Sequence, residues 1–145
     1  MLADSMMDSS FDIPATGTTV TVGSGVLERA GGIVAARFEK KPVSQVVVLS
    51  DETVARLHGD RLLVGLEVTG REAILIKTAC GEQTKSLLSA SAVYDSLAER
   101  SIDRDSLLIA LGGGVVSDLG GFIAATWHRG IRLAICSTTI EAAVD

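Results

Sequence analysis

The apolar positions of this chain fall into two repeating patterns: short solid runs and stripes at helical spacing. Thr18 to Val22 (TTVTV) alternates β-branched residues between glycines, which predicts a first strand. From Val26 to Phe38, the positions Val26, Ala30, Ile33, Val34 and Phe38 recur at helical spacing. The Gly31-Gly32 pair inside that helix weakens it by roughly 1 kcal/mol per glycine relative to alanine. Pro42 forces a loop before the apolar run of Gln45 to Leu49, which has the character of a strand buried on both faces. Ser50-Asp51-Glu52-Thr53 then suits the start of a short helix. Ala73 to Ile76 is another buried strand, followed by a loop and a helix striped by Leu87, Ala90, Tyr94, Leu97 and Ala98. After the charged turn Asp103 to Asp105, Leu107 to Leu111 runs straight into Gly112-Gly113-Gly114. A helix from Val115 to about His128 ends at Gly130, and Arg132 to Cys136 is one more strand. Thr138 and Glu141 form a capping-box pair that opens a last helix.

Strands alternating with helices predict an α/β fold, a Rossmann-like parallel sheet wound with right-handed crossovers and flanked by helices. Residues 1–15 are expected to be a disordered lead, and 16–145 a single α/β domain. The 145 residues suit one compact core, and the 47% hydrophobic content argues against disorder. A net charge of −5 without a Lys/Arg cluster lacks the footprint of a nucleic-acid binder. No apolar run is long enough to cross a membrane and no secretory signal opens the chain, so a soluble, cytoplasmic, reducing setting is expected. In that setting Cys80 and Cys136 are packing residues. Trp127 is expected in a core or interface, His128 as a helix C-terminal charge partner, and His58 as an exposed loop residue without a partner.

Ligands of open α/β sheets sit beyond the carboxyl ends of the strands. Four junctions there are polar or glycine-rich: Ser50-Asp51-Glu52, Cys80-Gly81-Glu82-Gln83-Thr84-Lys85, Gly112-Gly113-Gly114, and Ser137-Thr138-Thr139. Consecutive glycines at a helix start let backbone amides meet a diphosphate at contact distance; equally, they allow a tight turn with close helix–sheet packing.

The segment LGGGVVSDLGGFIAATWHRGI resembles the signature of 3-dehydroquinate synthase. GEQTKS (Gly81 to Ser86), VVVLSDET (Val46 to Thr53) and STTIEAAVD (Ser137 to Asp145) resemble that family's other segments, in the same order. The resemblance implies NAD as cofactor. Asp51 would meet its nucleotide end, and Gly81, Glu82, Gln83, Thr84 and Lys85 the adenosine part. Gly113, Gly114 and Val115 would hold the diphosphate with backbone groups, Val116 and Ser117 would belong to the same cofactor-binding turn, Asp118 would face the nicotinamide-side ribose, and Thr138 and Thr139 would add hydroxyl donors. Arg129 and Asp145 match family residues that contact a sugar-phosphate substrate. Taken singly, Glu82–Lys85 is also an exposed ion pair, Asp118 a first-turn charge and Arg129 a helix C-terminal charge.

The implied reaction converts 3-deoxy-D-arabino-heptulosonate 7-phosphate to 3-dehydroquinate and phosphate in the shikimate pathway, in a homodimeric enzyme. Ser117, Ser137 and Cys80 depart from the family pattern. The family's distal lysines and its zinc or cobalt site in a following helical domain have no counterpart in these residues, so this chain is expected to be the NAD-binding part and inactive alone. Alternatives are another sugar phosphate cyclase, a glycerol-dehydrogenase-like enzyme, or a non-catalytic nucleotide-binding module.

Overall fold

A computed structural model describes residues 9–67, 70 and 72–144. Four strands form one parallel sheet: β3 (Val46–Asp51), β4 (Ala73–Thr78), β5 (Leu107–Gly112) and β6 (Arg132–Ser137), in the spatial order β4-β3-β5-β6. All four expected strands are present, each extended by one or two residues at its carboxyl end.

β5 is buried along its whole length, because both faces of the sheet are covered. Alternate residues feed two cores. Val47, Leu49, Leu108 and Ala110 pack against α4 (Leu87–Glu99) and α5 (Gly114–Thr126), through Val93, Leu97, Val116, Leu119 and Ile123. Val46, Val48, Leu107, Ile109 and Leu111 pack on the other face with Ala30 of α1 (Ala30–Arg37) and with Leu62 and Leu66 of α3 (Asp60–Glu67). Each fully buried Leu or Ile contributes about 1.5–3 kcal/mol of transfer free energy. Between β3 and α3 the chain passes through the short α2 (Glu52–Val54) and a π-helical turn, Ala55–Gly59.

The connection β3→β4 moves outward in one direction, whereas β4→β5 and β5→β6 move in the other. The reversal leaves a crevice between the carboxyl ends of β3 and β5, where Asp51 and Gly113 stand. α5 leaves that edge and runs the length of the sheet. Gly120 makes its close approach possible, since a Cβ there would lie 2.8 Å from the Cβ of Ala110.

Several expectations are corrected. Ser9–Ile13 is a strand, β1, paired antiparallel with β2 (Thr18–Val22), where an unstructured lead was expected; the alternation of Phe11 and Ile13 with polar neighbours makes it a match for TTVTV. Residues 1–8 of that lead lie outside the described residues. The helix expected over 26–38 is confined to Ala30–Arg37, and Ser24 to Arg29 form turns. The last helix, α6 (Ile140–Val144), is capped one residue later than expected: the Thr139 hydroxyl, not that of Thr138, accepts from the Ala142 amide at 3.2 Å.

Candidate functional site

The four polar junctions line up along the carboxyl edge and are tied to one another. At the end of β3, Asp51 caps α2: its Oδ1 accepts from the amides of Thr53 and Val54, both at 2.9 Å. Beside it, the Cys80 thiol after β4 donates to the same oxygen at 3.4 Å and lies 3.3 Å from the Thr53 hydroxyl. Ser50, fully buried, donates to the Leu111 carbonyl at 2.8 Å and joins the ends of β3 and β5.

The GEQTKS loop divides its labour. Gly81 takes a φ of +103°, a left-handed conformation that favours glycine, and a Cβ there would collide with the Gln83 amide at 2.7 Å. The Gln83 side chain folds back to donate to the Cys80 carbonyl at 3.2 Å, while the buried Thr84 hydroxyl donates to the Ala79 carbonyl at 3.0 Å. These two side chains hold the loop's shape. Lys85 faces outward across the sheet edge: its Nζ is 3.0 Å from Glu82 Oε1 and 2.7 Å from Asp118 Oδ2 on α5. The hydrogen bond that Lys85 donates to Asp118, reinforced by the one to Glu82, raises the lysine pKa above its ordinary value.

At the glycine turn, Gly113 stands before α5 with no side-chain cap. The first intrahelical bond runs from the Ser117 amide to the Gly113 carbonyl at 3.0 Å, so the amides of Gly114, Val115 and Val116 have no helical acceptor. The three glycines differ in role. Gly112 must lack a Cβ because Val116 would lie 2.7 Å from it, and Gly113 sits 3.2 Å from the Thr139 methyl, whereas a Cβ at Gly114 would meet nothing within 4 Å. The Val116 side chain is core, so only its backbone faces the turn. Ser117 Oγ is buried and without a hydrogen-bond partner. Thr138 bonds through its amide to the Gly112 carbonyl at 2.9 Å, which seats the β6 loop against the turn.

Asp51, Glu82, Lys85, Gly113, Gly114, Asp118, Thr138 and Thr139 are thus brought to one edge. Arg129 is not. It follows α5, thirteen residues and about 20 Å away, at the opposite edge of the sheet. It adopts φ +64° after His128 at φ +49°. Asp145 lies outside the described residues.

Cys80 is exposed instead of packed, because it belongs to the loop beyond β4. Cys136 does pack, and burial pushes its thiol up to about 11. His58 is half-buried within the π-helical turn, not in an exposed loop, and its Nδ1 has no partner. Trp127 stacks on Tyr94 with ring centroids 5.8 Å apart and donates to the Ile102 carbonyl at 3.0 Å. His128 Nε2 lies 3.1 Å from the same carbonyl, a neutral partner where a helix charge partnership was expected. The sequence hid the Cys80–Asp51 and Lys85–Asp118 contacts, because each joins residues on different loops. Among the described residues, no three His, Cys, Asp or Glu side chains gather as a metal site, and no helix is long and apolar enough to cross a membrane.

A parallel sheet whose strand order reverses beside a glycine turn, free helix amides and carboxylates belongs to the class of open α/β folds. Residues 75–145 match the family described as 3-dehydroquinate synthase N-terminal. The 3-dehydroquinate synthase of Enterococcus faecalis is 40% identical over 139 residues, 96% of this chain and 38% of the relative. That of Gloeobacter violaceus is 38% identical over 133 residues, 92% of this chain and 36% of the relative. A crystal structure of 2-deoxy-scyllo-inosose synthase shares the fold with a TM-score of 0.79 at 20% identity, covering 96% of this chain and 38% of that one. The chain is homologous to the N-terminal part of the 3-dehydroquinate synthase family, and spans a little over a third of its curated relatives' length.

Proposed function

We propose that this chain supplies the NAD-binding portion of an enzyme that converts 3-deoxy-D-arabino-heptulosonate 7-phosphate to 3-dehydroquinate and phosphate. The supporting observation is the turn at Gly113-Gly114, where open space at Gly114 adjoins three amides without acceptors. A related fold, a 2-deoxy-scyllo-inosose synthase complexed with carbaglucose-6-phosphate, NAD+ and Co2+, matches with a TM-score of 0.73 at 19% identity, covering 96% of this chain and 36% of that one.

Bound at this edge, NAD would supply reversible hydride acceptance at a sugar hydroxyl carbon. This chain's residues bind and orient. The amides of Gly114, Val115 and Val116 face the diphosphate and offset its charge with the positive end of α5. Asp51 Oδ2 and the Glu82 carboxylate accept from ribose hydroxyls on the adenosine side, with Asp51 held in place through its other oxygen by two amides and the Cys80 thiol. Asp118 accepts from the nicotinamide-side ribose, and Lys85 fixes its orientation. For a divalent metal the described residues offer no donor set, so no step is assigned to one.

The test is an NMR titration of the chain with NAD, which detects weak binding. Amide shifts concentrated at Gly113 to Asp118, Asp51 and Glu82 are expected. Absence of shifts at Gly113 to Asp118 at millimolar NAD would overturn the assignment.

A further inference from the structure

At the amino edge of the sheet, where the strands begin, an open cavity of about 580 Å³ is lined by Lys41, Arg104, Asp105, Gly130, Ile131 and Arg132. Its size falls within the roughly 300–1,000 Å³ of small-molecule sites. The six residues of β5 separate it from the glycine turn by about 20 Å, so the nucleotide site uses none of it. Three cations meet one carboxylate there, in a chain whose net charge is −5. They come from the loop before β3, the turn into β5 and the start of β6, so only the fold brings them together.

Arg132 is held firmly. Its Nη1 donates to the carbonyls of Pro42 and Asp105, both at 3.1 Å, and its guanidinium carbon lies 5.1 Å from the centroid of the Phe38 ring. Its Nη2 is buried and makes no hydrogen bond. Asp105 Oδ1 stands 3.6 Å from that Nη2 and 3.8 Å from Lys41 Nζ, too far from either for a hydrogen bond. The Asp105 side chain is 61% exposed, so solvent lies open to it. Among the described residues, the exposed Arg104 has neither an ion pair nor a hydrogen bond. Gly130, at φ +118°, leaves the adjoining wall bare: a Cβ there would meet nothing nearer than 3.9 Å. Cations in excess, a loosely paired carboxylate and a donor without an acceptor describe a cluster short of one anion.

We propose that this cavity binds a small organic anion carrying at least two negative charges, a phosphate ester or a polycarboxylate. Its oxygens meet Lys41, Arg104 and Arg132, and the Asp105 carboxylate swings out into solvent to make room. That movement uncovers Arg132 Nη2, and the planar guanidinium then offers a fork that matches carboxylate or phosphate geometry. Ile131 is the one apolar side chain of the lining, so a neutral apolar ligand gains little here. Asp105 competes with the ligand for the same cations, which keeps the affinity modest, with a dissociation constant between about 0.1 and 5 mM. The site stands on its own residues and holds whether or not the carboxyl edge binds NAD.

The test is an amide NMR titration of the chain with sodium phosphate and, separately, with citrate, against sodium chloride at matched ionic strength. Saturable shifts at Arg104, Gly130, Ile131 and Arg132 are expected; the tighter of the two probes tells a phosphate ester from a polycarboxylate. Lys41→Gln and Arg104→Gln should each weaken binding about threefold, and Asp105→Asn, which removes the competing charge, should tighten it about threefold. Arg104→Gln breaks no internal contact, so it decides the matter if Asp105→Asn disturbs the turn. The proposal is overturned if neither probe shifts these amides by about 20 mM, or if chloride shifts them equally. It is also overturned if Arg104→Gln binds like the parent, or if a folded Asp105→Asn binds no tighter.

Discussion

Lys85 Nζ lies 2.7 Å from Asp118 Oδ2, a bond that reaches from the loop after β4, over the end of β3, to the helix that follows β5. Lys85 also holds Glu82 at 3.0 Å, so one cation orders two carboxylates assigned to opposite ends of NAD. Because the Asp118 bond raises its pKa, Lys85 stays protonated across the working range. That contribution is present below the ordinary value of 10.5 and lost only as pH climbs through the raised one.

Exposed ion pairs add little to stability, so Lys85→Met should barely move the melting temperature. Its effect on NAD should be larger. If Lys85 works by holding Asp118, Lys85→Met and Asp118→Asn will each weaken NAD severalfold, and the double variant will be no weaker than the worse single one. Additive losses in an NMR titration of the four proteins would instead mark two independent contacts.

The glycines near the turn should separate binding from folding. Gly120→Ala places a methyl 2.8 Å from Ala110 and should cost about 1–3 kcal/mol by prising α5 off β5. Gly114→Ala meets nothing within 4 Å and should fold at least as stably as the parent, since it removes a helix glycine. Gly114→Val should keep the fold yet obstruct the diphosphate. Thermal melts beside NAD titrations check both halves. A Gly114→Val chain that binds like the parent would remove the diphosphate from this turn.

The thiols give a third test. Cys80 is exposed and should react quickly with a maleimide, whereas Cys136, its pKa pushed up to about 11 by burial, should react only on unfolding. Saturating NAD should slow labelling at Cys80, because that thiol touches Asp51. Mass spectrometry of the labelled peptides reads both sites; a Cys80 rate indifferent to NAD would separate this loop from the nucleotide.

The parallel sheet was legible because VVVL, AILI and LLIAL are solid apolar runs, which only strands covered on both faces require. The glycine turn and GEQTKS were legible as local motifs. What the sequence hid is relational. Gln83 and Thr84 look like ligands beside Glu82 and Lys85, and only the fold turns them inward onto Cys80 and Ala79. Arg129 belongs to the same continuous motif as Gly113, yet thirteen helical residues carry it to the far edge. The β1 strand was missed because its alternation is only five residues long and gains meaning from its pairing with β2.

The last prediction concerns the turn that enters β5. Asp103 Oδ1 accepts from the Ser44 hydroxyl at 2.5 Å, the Ser106 hydroxyl at 2.9 Å and the Asp105 amide at 2.9 Å. Ser44 precedes β3, and its amide also donates to the Asp105 carbonyl, so this carboxylate stitches the entries of two central strands together. Ser44 above all, with Ser106 and the two backbone amides of the turn, holds the Asp103 pKa below its ordinary 3.8. A depressed carboxylate stabilises the fold above its unfolded value, and the benefit disappears as pH falls through the lower, folded one. Asp103→Asn keeps the shape and removes the charge. Hydrogen bonds to a charged group contribute about 1.5–3 kcal/mol when shielded, and exposure reduces this to about 1 kcal/mol, or roughly 3 °C in melting temperature at pH 7. That gap should hold down to about pH 4 and close below it, as the parent's own carboxylate is protonated. Calorimetric melts of parent and variant from pH 7 to pH 2.5 check this; a gap of constant size across the series would mean that Asp103 acts through its shape and not through its charge.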